Sequence, residues 1–147
     1  MRRSVCLLAV VLLVVPLLGS DAPKEYDGAT ETDELQGTWT VVSGTVVGSG
    51  RGRPLDGLAL TFSGGQYQFQ GDWDERGAYT VDRSRQPHHL DIAPTGGKKA
   101  SWARAASKLI YQLDGDVLRI AFAGNDGARP ASFDEVGTVV YTYKRVK

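Results

Sequence analysis

The two histidines of the chain, His88 and His89, are adjacent, and Asp91 follows at a spacing that could begin a metal site. In a β-strand, His89 and Asp91 project to one face and His88 to the other, because side chains alternate across a strand. A zinc site needs at least a third protein ligand, and the sequence does not locate one. A nucleophilic triad would also need a positioned Ser or Cys, and no such motif is visible. We therefore predict solvated imidazoles at a strand entrance, and neither a metal site nor a catalytic histidine.

A second group of candidate ligands surrounds Trp73, where Asp72, Asp74 and Glu75 lie in a predicted turn. Alternating acids are typical of the start of a calcium loop, but the glycine and the distant glutamate that complete such a loop do not follow. We predict a solvated hairpin tip instead. Few titratable residues fall at predicted inward positions, so a general acid–base pair is hard to assemble. The sequence therefore favours a protein without enzymatic activity and without a cofactor.

The start of the chain predicts an export signal. Arg2 and Arg3 precede an apolar run over residues 5–18, and small or polar residues follow it. This order is typical of a cleaved signal peptide, and the run is shorter than the roughly 20 residues that a membrane-spanning helix needs. We assign residues 1–20 to a signal peptide and the polar residues 21–33 to a flexible tether. The expected location is periplasmic or extracellular, with no membrane span after cleavage.

Composition narrows the classes of partner. Cys6 is the only cysteine and lies in the predicted signal, so the mature chain has no thiol for disulfides, metal ligation or catalysis. Without Arg2 and Arg3, the 17 Lys and Arg fall to 15 against 17 Asp and Glu, and the net charge is near −2. No basic stripe is visible, so nucleic acid is not an expected partner.

Short alternating apolar segments, separated by turn residues, fill residues 34–147. Gly64-Gly65 and Asp114-Gly115-Asp116 mark two hairpin turns. About eight strands, with turns about every 10 residues, indicate an all-β fold, a single antiparallel up-and-down barrel. The segment Ala100–Ser107 is either a short helix over the barrel mouth or a loop. The residues expected to face inward are Leu60, Phe62, Tyr67, Phe69, Tyr79, Leu90, Tyr111, Ile120 and Phe122. Many of them are large, which favours a filled core over a roomy pocket.

Trp39 follows Gly37 by two residues at the start of the first predicted strand. A large flat side chain there can plug the base of a barrel, and the glycine lets the chain bend sharply beneath it. The last strand pairs with the first when a barrel closes, so a cation near its end can stack on the plug. We predict that Arg145 covers Trp39. The alternative is that Trp39 is an ordinary core residue and Arg145 a solvated charge.

Several short motifs occur in order along residues 34–147. They are LQGTW (Leu35 to Trp39), LTF (Leu60 to Phe62), LDGDVLRIAF (Leu113 to Phe122), RPASF (Arg129 to Phe133) and KRV (Lys144 to Val146). With these motifs the chain resembles a family of secreted lipocalin-like domains that occurs mainly in planctomycete bacteria and has no assigned function. The resemblance implies a lipocalin-like barrel over residues 34–147, with Gly37, Trp39 and Arg145 as its structural signature.

We expect an exported, monomeric, non-catalytic binding module for a small apolar or amphipathic ligand. A cavity of roughly 300 Å³ or more would suit a drug-sized ligand. The alternative is a protein-binding barrel, such as a periplasmic protease inhibitor, that acts through its loops or through the tail at residues 21–33. The candidate contact residues for a ligand or partner are Trp73, Trp102, Tyr67, Tyr79, Tyr111 and Phe122.

Overall fold

The computed structural model describes residues 34–52, 57–71, 74–97, 107–123 and 127–147. The predicted signal peptide (1–20), the tether (21–33), Trp73, Trp102 and residues 100–106 lie outside these ranges. The described residues form strands, turns and irregular segments and contain no helix. The described residues therefore include no candidate for a membrane-spanning helix.

Eight strands close into one barrel in which each strand pairs antiparallel with the next and the last pairs with the first. The strands are β1 (Gly37–Val46), β2 (Ala59–Ser63), β3 (Gln66–Gln70), β4 (Glu75–Asp82), β5 (His88–Gly96), β6 (Ser107–Asp114), β7 (Val117–Ala123) and β8 (Thr138–Arg145). This order confirms the predicted all-β, up-and-down barrel.

Two tight turns connect the hairpins that the sequence predicts. Gly64 and Gly65 join β2 to β3 with φ values of 56° and 76°, as a two-residue turn with positive φ at both positions requires. Gly115, with φ of 56°, joins β6 to β7. Glycine adopts positive φ without a steric penalty, so these residues fix where the strands reverse.

The barrel has two distinct ends. All odd-numbered strands begin at one end, the base, which contains Gly37 and Arg145. All even-numbered strands begin at the other end, the mouth, which contains Glu75 and Ser107. Side chains alternate between the interior and the outside along each strand, so a residue's position in its strand sets both its depth and its face.

The segment before β8 covers part of the outer surface. Phe133 packs against a small apolar cluster on the outer faces of β6, β7 and β8, and Cζ of Arg119 lies 4.4 Å from the centroid of its ring. Arg129 donates hydrogen bonds to the carbonyl oxygen of Leu109 and to the carboxylate of Asp91. These contacts hold the segment against the barrel wall.

Candidate ligand-binding site in the barrel interior

The base of the barrel is sealed by Trp39, which is 0% exposed. Its indole Nε1 donates a hydrogen bond of 2.9 Å to the carbonyl oxygen of Leu35. Cζ of Arg145 lies 4.0 Å from the centroid of the indole ring, the stacked arrangement that the spacing predicts. The guanidinium also donates to the carbonyl oxygens of Gln36, at 2.6 Å, and Glu34, at 2.9 Å. Arg145 therefore ties the segment before β1 across the plug.

Gly37 allows this arrangement for two reasons. Its φ is 115°, which residues with a Cβ rarely adopt. A Cβ at this position would also lie 3.3 Å from Nη1 of Arg145, closer than an ordinary contact. The predicted structural signature of Gly37, Trp39 and Arg145 is therefore brought together at the base.

Two of the candidate contact residues, Tyr79 and Tyr111, also belong to the base. The Tyr79 hydroxyl accepts a hydrogen bond of 3.0 Å from Nε2 of Gln36. The Tyr111 hydroxyl donates to Oε1 of Glu34 at 3.1 Å. Burial raises the pKa of Tyr111, and the charge of Glu34 raises it further. Neither tyrosine lines the interior cavity, because both hydroxyls point to the segment that precedes β1.

The interior holds a cavity of about 100 Å³. Its lining residues are Leu60, Phe62, Tyr67, Phe69, Glu75, Leu90, Ile92, Ser107, Leu109, Ile120, Phe122, Tyr141 and Tyr143. Near the base the wall is buried, as at Phe62 and Tyr143, whereas near the mouth Phe69, Ile92 and Phe122 are half-buried. The cavity thus approaches solvent at the mouth, and of the candidate contact residues it includes Tyr67 and Phe122. Its volume is well below the roughly 300 Å³ expected for a drug-sized ligand.

One acidic residue interrupts this apolar wall. Glu75 is only 6% exposed, and its Oε1 accepts a hydrogen bond of 2.6 Å from the Tyr67 hydroxyl. Its Oε2 is buried and has no hydrogen-bond partner in the described part of the chain. Burial raises the pKa of Tyr67, and the hydrogen bond to Glu75 and the charge of that residue raise it further. The tyrosine therefore acts as a proton-bearing donor to the carboxyl group.

The prediction of a solvated hairpin tip is wrong for Glu75, because this residue begins β4 and faces inward. It alternates in phase with Gly77 and Tyr79, both of which are buried. This alternation indicates an inward-facing side chain, but Glu75 lies in a run of acids that is also typical of a turn. Burial of the carboxyl group therefore differs from the solvated position that the sequence predicts.

Two glycines fix the backbone around Glu75. The pairing of β4 with β5 shifts register between Arg76 and Gly77, which marks a bulge next to the carboxyl group. A Cβ on Gly77 would lie 2.1 Å from the carbonyl oxygen of Ala93, and a Cβ on Gly97 would lie 2.0 Å from that of Asp74. Only glycine permits these approaches, so the strand that carries Glu75 is held tightly against β5.

The histidines lie away from the cavity. The ring of His88 lies 5.3 Å from that of Tyr111 near the base, and its Nδ1 lies 2.9 Å from the carbonyl oxygen of Arg85. Both imidazoles are half-buried, so they are less solvated than predicted. Burial of Asp91 opposes its ionisation, but hydrogen bonds from Lys108 and Arg129 outweigh this and hold the pKa of Asp91 below its usual value.

No group of three or more His, Cys, Asp or Glu side chains placed to hold a metal ion occurs among the residues that the structure describes. The candidate contacts Trp73 and Trp102 and the tail at residues 21–33 lie outside those ranges. Among the described residues, the interior cavity with the Tyr67–Glu75 pair is the candidate site that includes predicted contact residues, Tyr67 and Phe122.

The chain matches no family model, no curated protein and no solved structure. The resemblance to lipocalin-like domains accordingly rests on the sequence motifs alone and stays a prediction. Any functional conclusion has to come from the geometry of the interior, because one fold hosts many functions.

Proposed function

We propose that the chain is an exported, non-catalytic binding module of lipocalin-like type whose barrel holds one small amphipathic ligand. The observation that carries the proposal is the cavity of about 100 Å³ that approaches the mouth. Eight-stranded barrels of this size are either filled by their own side chains or hold one small ligand. An interior with free space and a few polar groups among apolar side chains is typical of the second kind.

The cavity sets the size of that ligand. An engineered apolar cavity of about 150 Å³ binds benzene. The present cavity is smaller, so it holds about four non-hydrogen atoms, and a slightly longer linear molecule would extend into the mouth. Its walls would contact the apolar part of the ligand, while the Tyr67–Glu75 pair would contact the polar part.

Export supports a role as a carrier or sensor outside the cytoplasm. The basic and apolar residues at the start of the chain are typical of a signal peptide. With a net charge near −2 after its removal and no basic stripe, the protein suits a small-molecule ligand better than a nucleic acid. We expect the exported protein to be a monomer.

Native mass spectrometry tests the proposal on protein that a bacterial host expresses from the full sequence and exports. We expect an additional mass that disappears on denaturation. Ile120→Phe should remove it by filling the cavity, whereas Val117→Phe, at an exposed position of the same strand, should retain it. The proposal would be contradicted if the spectrum showed only the mass of the protein and if 1-pentanol and n-pentylamine left the NMR signals of the cavity-lining methyl groups unchanged.

A further inference from the structure

We infer that the ligand is a small primary amine, bound as its ammonium ion, whose charged group pairs with Oε2 of Glu75 and whose apolar chain fills the cavity. This inference rests on the proposed function and adds to it the chemical class of the ligand. It starts from Glu75, a residue of the cavity wall whose Oε2 is buried and has no hydrogen-bond partner in the described part of the chain.

The carboxyl group is incompletely satisfied. An ionised carboxylate offers about four acceptor positions, and the described residues supply one donor, the hydroxyl of Tyr67. Leaving a buried acceptor unpaired is unfavourable, and more so when the group is charged. A ligand that brings N–H donors and a positive charge to Oε2 would remove this penalty, because charge-assisted hydrogen bonds are roughly twice as strong as neutral ones.

Within the described ranges, no cationic side chain belongs to the cavity wall, since none of the lining residues is Lys, Arg or His. A carboxylate ligand would face the like charge of Glu75 without compensation. A neutral alcohol could donate one hydrogen bond to Oε2 but would bring no positive charge to an ionised carboxyl group. The charge and donor pattern of the wall therefore favours an ammonium ion.

The position of Glu75 also sets the orientation of the ligand. Glu75 begins β4 and lies at the mouth, whereas Phe62 and Tyr143 line the cavity towards the base. The ammonium group is thus expected near the mouth, where it keeps part of its hydration, with the apolar chain directed to the base. The close approaches of Gly77 and Gly97 to neighbouring backbone hold the carboxyl group in place before the ligand arrives.

The ligand is a primary amine of limited size. A quaternary ammonium ion has no N–H to donate to Oε2, and it is wider than a linear amine. The volume of about 100 Å³ accommodates about four carbons of the chain, and the fifth carbon and the ammonium group would lie at the mouth, beside Glu75. We therefore choose n-pentylamine as the probe, with 1-pentanol and pentanoate as neutral and anionic molecules of the same chain length.

The test is an NMR titration of the protein expressed from the full sequence, with the methyl groups of Leu90 and Ile120 as reporters inside the cavity. We expect n-pentylamine to bind at least about tenfold more tightly than 1-pentanol, and pentanoate to bind most weakly. If 1-pentanol or pentanoate binds as tightly as the amine, the inference is overturned while the proposed function stands. If none of the three shifts the methyl signals, both are overturned.

Two variants show whether Glu75 causes the preference. Glu75→Gln keeps the shape of the side chain and should abolish the tenfold preference for the amine over the alcohol. Asp74→Asn removes the same charge one residue earlier, on a side chain outside the cavity lining, and should leave the preference within about twofold of wild type. An unchanged preference in Glu75→Gln, or an equal loss in both variants, would overturn the assignment. Even if Glu75→Gln does not fold, the relative affinities of the wild-type protein for n-pentylamine, 1-pentanol and pentanoate decide the inference.

Discussion

Cζ of Arg145, in the last strand, lies 4.0 Å from the ring centroid of Trp39, in the first. The same guanidinium donates two hydrogen bonds to backbone carbonyl oxygens in the segment before β1. Arg145→Ala would expose the indole and leave both carbonyl groups without these donors, so we expect a loss of about 2–4 kcal/mol in the free energy of unfolding.

Urea denaturation of Arg145→Ala, Arg145→Lys and Lys144→Ala checks this prediction. The lysine variant should lose most of the same stability, because an ammonium group cannot replace the planar guanidinium with its several donors. The exposed side chain of Lys144 should change stability by less than about 0.5 kcal/mol. Equal stability of all three variants would mean that the contact with Trp39 contributes nothing.

Gly77 should not tolerate even a methyl group. Its Cβ would lie 2.1 Å from the carbonyl oxygen of Ala93, and backbone atoms cannot move aside as a flexible side chain can. We expect Gly77→Ala to destabilise the protein by about 3 kcal/mol. Gly96→Ala is the matched control, since its Cβ meets only the side chain of Arg76, at 3.4 Å. Thermal unfolding of the two variants should separate them clearly, and similar melting temperatures would refute the prediction.

The Tyr67–Glu75 pair should lower the stability of the ligand-free barrel relative to an apolar interior. Tyr67→Phe leaves the carboxyl group with no donor among the described residues, and we expect a loss of about 1–3 kcal/mol. Tyr67→Phe combined with Glu75→Met removes both polar groups and should match wild type or exceed it by about 1–3 kcal/mol. Urea denaturation without ligand measures both. If the double variant is less stable than wild type, the pair contributes to stability and needs no functional explanation.

Alkaline pH should destabilise the barrel through its buried tyrosines. Burial raises the pKa values of Tyr67, Tyr111 and Tyr143 above the ordinary 10.0. Above pH 10 the folded protein therefore keeps tyrosine protons that the unfolded chain releases. The contribution of these tyrosines to the free energy of unfolding is complete below pH 10 and declines as the pH rises above it. Each tyrosine should contribute a slope of about 1.4 kcal/mol per pH unit.

Urea denaturation between pH 8 and pH 11.5, with tyrosinate absorbance followed in parallel, measures this decline. Tyr143→Phe removes one of the three groups and should make the slope shallower by about a third. Ionisation of all tyrosines near pH 10 in a protein that remains folded would contradict the prediction.

The strands and the plug at the base could be predicted because both follow from short-range patterns. Alternating apolar residues and glycine turns define each hairpin locally. Closure of the barrel then places the end of the last strand beside the start of the first, so Arg145 and Trp39 could be paired from their positions alone.

The interior site could not be predicted in the same way, because it depends on contacts between residues distant in sequence. Glu75 alternates with Gly77 and Tyr79, but the approach of Gly77 to β5, which fixes this part of the strand, is a contact that the local pattern does not reveal. Tyr79 and Tyr111 look like contact residues from their inward phase. Their hydroxyls, however, pair with side chains just before β1, and alternation along a strand does not indicate such long-range partners.

The pairing of β1 with β8 also determines the order in which the chain can fold. Nη1 of Arg145 bonds to the carbonyl oxygen of Gln36, 109 positions earlier, and contacts of such long separation form slowly. The first strand emerges early in synthesis and has only β2 as a neighbour until the last strand arrives. During that interval its other edge is open to pairing with a second chain. The open edge of β1 is therefore covered, and protected against edge-to-edge aggregation, only after the final eight-residue strand has been synthesised.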